Sequence, residues 1–195
     1  MLAVPASLRW LGTPVESHEA DDSLSVVAGA RTDWFVHPGT GEIRLNAPAL
    51  VGPVAAGDFL FSAHVAVAFE ATFDAGALVL RHDDRTWAKL CFEYSPAREP
   101  MVVSVVTRDV SDDCNSFVVP GNQIWLRAAR IGRAHAFHAS TDGRRWQLVR
   151  HFRLTDADTV EVGFIAQSPV GEGCGVTFSN IAFEPVTLGD LRDGT

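Results

Sequence analysis

Hydrophobic and polar residues alternate along this chain with a period of two. The clearest stretch runs from Asp58 to Glu70. One of its faces carries only apolar side chains, namely Phe59, Phe61, Ala63, Val65, Val67 and Phe69. Because successive side chains of a β-strand point to opposite sides of a sheet, the pattern predicts a long strand with one face in a core.

Similar segments, separated by Gly, Pro and Asp, continue as far as Glu184, and almost no helical pattern interrupts them. A hairpin or loop is predicted over residues 34–46, around Gly39 and Gly41. Further strands are predicted at 7–14, 23–29, 76–82, 87–95, 101–108, 124–131, 134–141, 145–153, 159–167 and 174–184. About twelve strands are enough for two packed antiparallel sheets, so we expect an all-β sandwich.

The length of 195 residues is ordinary for a single β-sandwich domain. We expect residues 1–186 to form that domain and residues 187–195 to form a flexible C-terminal tail. A hydrophobic fraction of 47% with 21% charged residues is typical of a globular protein.

Charge and cysteine content narrow the classes of partner. The net charge is −8, and the sixteen Lys and Arg residues are scattered, so nucleic acid is not an expected partner. No window approaches the roughly 20 apolar residues that span a bilayer, and the N-terminus lacks a signal-peptide pattern, so we expect no membrane partner and a cytoplasmic location. Three cysteines without CxxC spacing favour free thiols. We expect no cofactor and no metal.

Several local phrases follow one another in a distinctive order. They are Gly76 with Leu78 and Leu80; Trp87, Lys89, Glu93 and Tyr94; Val105-Val106-Thr107; Ser111-Asp112; Ser140 with Asp142-Gly143 and Trp146; and Phe178-Ser179-Asn180-Ile181. In this order they resemble the concanavalin A-like lectin/glucanase superfamily. More narrowly, they resemble a bacterial and fungal branch of unknown function that is similar to C-terminal domains of some glycoside hydrolases. The resemblance implies a two-sheet antiparallel jelly roll whose concave face receives carbohydrate in sugar-binding relatives.

The predicted strand 87–94 carries the candidate site. Trp87, Lys89, Cys91 and Glu93 share one of its faces. An aromatic ring, a cation and a carboxylate in one row can stack on a sugar and bind its hydroxyls. We therefore predict a sugar or oligosaccharide ligand at Trp87, Lys89, Glu93, Thr107, Asp109 and Asp112. The alternative is a solvent-facing sheet surface with a cross-strand Lys–Glu pair.

Thr107 presents a difficulty for this site. Strict alternation from Val103 and Val105 would place it in the core, and a bulge near Val106 would be needed to turn it outward.

The residues that follow, Asp109–Asn115, imitate the first ligands of a calcium loop. That imitation fails because Cys114 stands where the turn requires Gly and Pro120 where a Glu is required.

Catalysis is not the leading expectation, because the paired-carboxylate motif of the glucanases in the superfamily, Glu-x-Asp-x-Glu, is missing from the sequence. A hydrolase or lyase that uses Glu93 with a second carboxylate is the alternative. A third hypothesis is a structural module whose sheet face forms a homo-oligomer. His135 and His138 are not a predicted metal pair, because on a strand they point to opposite faces.

Overall fold

The computed structural model describes Val4 and residues 7–195, and its regular structure in that range is entirely β. The strands are β1 (Arg9–Leu11), β2 (Glu16–Glu19), β3 (Leu24–Gly29), β4 (Trp34–Val36), β5 (Ile43–Leu45), β6 (Ala49–Pro53), β7 (Phe59–Ala68), β8 (Ala75–Arg81), β9 (Thr86–Tyr94), β10 (Pro100–Arg108), β11 (Val110–Val118), β12 (Gln123–Ile131), β13 (Ala134–Ser140), β14 (Gln147–Phe152), β15 (Glu161–Gln167) and β16 (Gly173–Glu184). The all-β prediction is confirmed. Among these residues there is no helix long and apolar enough to cross a membrane.

The strands form two antiparallel sheets packed as a sandwich. The front sheet has the order β1-β6-β15-β8-β9-β10-β11, and the back sheet has the order β14-β13-β12-β7-β16-β3-β2. Strands β4 and β5 form a separate two-stranded ribbon. The arrangement is consistent with the predicted jelly roll.

The main core lies between the two sheets and follows from the alternation. Along β7 every second side chain is buried, as the sequence predicted. Phe61 of β7 meets Phe164 of the front sheet edge-on at 5.2 Å between ring centroids, and Phe164 contacts Phe178 of β16 at 4.9 Å. Such aromatic pairs add to the burial of apolar area that holds the sheets together.

A second apolar layer lies on the outer face of the front sheet. Its members include Trp87 and Cys91 of β9, Val103 and Val105 of β10, and Trp34 of the ribbon. The rings of Trp34 and Trp87 meet edge-on at 5.6 Å. The ribbon therefore covers part of this face, and the centre of the front sheet is buried on both sides.

Two segments differ from the sequence-based expectation. Residues 110–118, part of which was expected to be a loop, pair with β10 as the edge strand β11. Residues 187–195, expected to be a flexible tail, contact the back sheet. The Arg127 guanidinium donates to the carbonyl of Gly194 at 2.7 Å, and the His138 ring lies 2.9 Å from the carbonyl of Leu191.

Candidate functional site

A cleft opens on the outer face of the front sheet, beside the ribbon. Its deeper part has a volume of about 190 Å³ and is lined by Asp33, Phe35, Phe73, Lys89, Glu93, Val103, Val105, Asp113, Gln167 and Pro169. An adjoining cavity of about 240 Å³ shares Asp33, Phe35, Phe73 and Pro169 and extends to His37, Glu42, Arg44 and Val170. We call the two together the cleft.

Lys89, on β9, forms the polar floor of the cleft. Its side chain is only 2% exposed, and its ammonium lies 3.2 Å from Asp33 Oδ1. It also donates to Gln167 Oε1 at 2.7 Å, and the Gln167 amide in turn donates to the carbonyl of Phe73 at 3.3 Å. Burial disfavours the ammonium, but the attraction of the acidic groups around it, chiefly the Asp33 carboxylate, outweighs that effect and raises the pKa of Lys89. Lys89 is therefore charged and held in one position.

Glu93 lies on the same strand face as Lys89 and is half-buried. Burial raises the pKa of this carboxyl to about 7; Lys89 opposes the shift, whereas Asp33 and Asp113 add to it. Within the described part of the chain, Glu93 and Asp113 have no hydrogen-bond or ion-pair partner. Both carboxyl groups are free to accept hydrogen bonds from a ligand.

The aromatic wall of the cleft is Phe73, which is 37% exposed. Its backbone has φ = 70°, an uncommon conformation for a bulky residue and one that costs about 1–2 kcal/mol. The Phe73 amide donates to the carbonyl of Tyr94 at 2.7 Å, and the Phe73 carbonyl accepts from Gln167. Backbone hydrogen bonds thus hold an exposed ring at the mouth of the cleft.

Two of the residues predicted for the site are covered. Trp87 is fully buried beneath Trp34, so its ring has no free face for a sugar. Thr107 is also buried, and its hydroxyl lies 2.8 Å from the Ser111 hydroxyl. Thr107 pairs in register with Trp87, so no bulge is needed. The expectation of a bulge was wrong because Val103 and Val105 face the ribbon layer and not the sandwich core.

Asp109 and Asp112 lie away from the cleft. Asp109 occupies the β10–β11 turn at φ = 67°, where its carboxylate pairs with Arg85 at 2.7 Å. Asp112 pairs in register with Val106, a residue of the sandwich core, and its carboxylate contacts Arg150 at 3.0 Å. Asp113, one residue further on, faces the cleft instead.

Of the predicted site residues, the cleft brings together Lys89 and Glu93. The sequence reasoning missed the other lining residues, chiefly Asp33, Phe35, Phe73, Asp113 and Gln167. The signal for Asp113 was accessible in principle, because pairing residues 110–118 as a strand against β10 places Asp113 opposite Val105. Asp33, Phe73 and Gln167 come from separate segments, and no local pattern joins them.

Metal-ligand geometry is not found among the described residues: no group of three or more His, Cys, Asp or Glu side chains could hold an ion. Cys91, Cys114 and Cys174 are free thiols. His135 stacks on Phe152 at 5.9 Å, whereas His138 contacts the C-terminal segment. The two histidines have separate environments.

Comparisons with known proteins place the fold. A family model described as "Protein of unknown function (DUF1349)" matches residues 10–186. The Saccharomyces cerevisiae protein "Regulation of enolase protein 1" is 27% identical over 172 residues, which cover 87% of this chain and 85% of that protein. The crystal structure of a functionally unknown protein from Saccharomyces cerevisiae has a TM-score of 0.84 at 26% identity, covering 92% of this chain and 96% of that chain.

More distant structural similarity extends to larger enzymes. The GH43 protein BlXynB from Bacillus licheniformis gives a TM-score of 0.65 at 15% identity, over 84% of this chain and 33% of that chain. A xylan beta-1,4-xylosidase from Bacillus halodurans gives 0.63 at 12% identity, over 83% and 32%. This chain therefore corresponds to about a third of each enzyme, and the similarity concerns the fold alone. The predicted two-sheet antiparallel β-sandwich is confirmed.

Proposed function

The chain belongs to the DUF1349 family, whose function is unknown, and from that premise we propose that its cleft binds a sugar or oligosaccharide without converting it. The observation that carries the proposal is the combination of an exposed aromatic ring, Phe73, with a fixed polar floor at Lys89 and Gln167. Sugar sites pair an apolar surface for the ring face with a few placed polar groups for the hydroxyls.

The dimensions of the cleft favour a short ligand. The two adjoining cavities of about 190 and 240 Å³ share the wall formed by Phe35 and Phe73. A ligand that occupies both cavities would touch carboxyl groups in the deeper part and would reach the turn of the β4–β5 ribbon in the adjoining cavity. We therefore expect a recognition unit of one to a few sugar rings.

The test is a glycan array followed by isothermal titration of the purified full chain. We expect specific binding that Phe73→Ala weakens at least tenfold, because the ring face loses its stacking surface. Val186→Ala is the control. Val186 is also exposed, but it comes just after the last residue of β16, a strand of the back sheet. Equal affinity of Phe73→Ala and the parent for every bound glycan would contradict the proposal.

Acid–base catalysis on a glycan is the second candidate, favoured by one observation. Burial raises the pKa of Glu93 to about 7, which suits a group that exchanges a proton near neutral pH. Turnover of chromogenic glycosides that disappears in Glu93→Gln, with binding retained, would favour this function. Binding without turnover would favour the non-catalytic one.

A further inference from the structure

The cation of the deeper part of the cleft is already used by the protein. Lys89 is buried and donates to Asp33 and Gln167. Arg44, on the ribbon, lines only the adjoining cavity, where it donates from Nε to Glu42 Oε1 at 2.9 Å. Its side chain is 48% exposed and its Nη groups can still donate, so among the described residues it is the deeper part that lacks an open cationic donor.

The Nδ1 atom of His37 is also occupied. It accepts hydrogen bonds from the backbone amides of Gly39 at 3.0 Å and Thr40 at 3.1 Å, so it is not open to a ligand. His37 closes the ribbon turn, and its contribution to the cleft is that of a structural acceptor.

Two carboxyl groups of the deeper part, those of Glu93 and Asp113, are not paired in this way. Asp113 lies on the edge strand β11, opposite Val105, which in turn pairs with Lys89. Glu93 lies further along β9 on the same face. Neither Glu93 nor Asp113 has a hydrogen-bond or ion-pair partner among the described residues. In the deeper part, an incoming ligand would therefore meet open acceptors without an open cationic donor.

We infer that the deeper part of the cleft selects saccharides by charge: it takes uncharged or amine-bearing sugar groups and excludes uronates and sugar phosphates. This inference rests on the proposed function and specifies its ligand class. Hydroxyl and ammonium groups donate hydrogen bonds, which Glu93 and Asp113 accept. An anionic group in the deeper part lacks a free cation to pair with and is repelled by the carboxylate of Asp113.

The experiment is an array of oligosaccharides matched in backbone and length, in neutral, uronate and free-amine forms, followed by titration at low salt. We expect the uronate form of each bound sugar to bind at least tenfold more weakly than the neutral form. Asp113→Asn should recover most of that difference, because it removes the charge and keeps the size. Raising the salt concentration should narrow the gap in the parent protein.

Asp112→Asn is the matched control. It makes the same change of net charge one residue away, at an exposed carboxylate that pairs with Arg150 on the other face of the strand. It should leave the neutral-to-uronate ratio unchanged. Equal binding of uronate and neutral forms would overturn the charge selection but leave sugar binding intact, whereas no binding of any form would overturn both proposals.

Discussion

At the scale of single residues, the buried pair of Lys89 and Asp33 makes a strong prediction about stability. Lys89→Met removes the cation and leaves Asp33 and Gln167 without their partner in the covered floor of the cleft. We expect the free energy of unfolding to fall by about 3–5 kcal/mol in urea denaturation. Arg85→Met is the control, because its exposed ion pair with Asp109 should contribute no more than about 1 kcal/mol. Equal losses would contradict this account.

Glu93 gives a prediction about pH. Burial raises the pKa of Glu93 from 4.5 to about 7 in the folded chain. Between these values the folded protein binds more protons than the unfolded one, so the contribution of this group to stability falls as pH rises, by at most about 3 kcal/mol. Glu93→Gln should therefore gain stability relative to the parent from pH 5 to pH 7, and the gain should then stay constant. A difference independent of pH would contradict the prediction, which urea unfolding at several pH values checks.

At the scale of elements, one hydroxyl forms a hydrogen bond between the edge strand β11 and the ribbon. Ser111 Oγ of β11 accepts from the amide of Val36 at 2.9 Å and also contacts the Thr107 hydroxyl. Ser111→Ala leaves the buried Val36 amide unpaired, so we expect a loss of about 1–3 kcal/mol and faster hydrogen exchange at that amide. Ser116→Ala, an exposed position on the same strand, should change neither. Unchanged exchange at Val36 in Ser111→Ala would count against the tether.

The elements also show how far the sequence could be read. Period-two alternation predicted β7 because one face of it is buried and the other is not. It was less informative for the front sheet, where the ribbon buries the second face and removes the contrast on which the assignment of faces depends. For this reason Val103 and Val105 were assigned to the sandwich core, and a bulge was expected that Thr107 does not need in order to face outward. The polar run that became β11 has no apolar face, because an edge strand is mostly exposed.

At the scale of the whole molecule, the fold was more predictable than the cleft. The two sheets are built from many short strands, and each strand can be predicted from the alternation of its own residues. The cleft joins Asp33, Phe73, Lys89 and Gln167, which lie on four separate segments, and their meeting depends on strand order. Alternation along the predicted strand 87–94 placed Lys89 and Glu93 on one face, but only the assembled sheet shows which side chains the ribbon covers.

At the same scale, the packing of the C-terminal segment on the back sheet gives a prediction about stability and about the pKa of His138. Deleting residues 188–195 removes the carbonyls that contact Arg127 and His138, together with buried Leu188. We expect a loss of about 2–4 kcal/mol of stability, from two hydrogen bonds and one apolar side chain.

The same truncation should change the titration of His138. Burial lowers the pKa of His138 to about 4, and this effect outweighs the hydrogen bond with Leu191, which raises the pKa. Truncation should therefore raise that pKa towards 6.5 in an NMR titration, while His135, away from this segment, keeps a pKa of about 4. An unchanged His138 titration together with unchanged stability would mean that the segment is a free tail in solution.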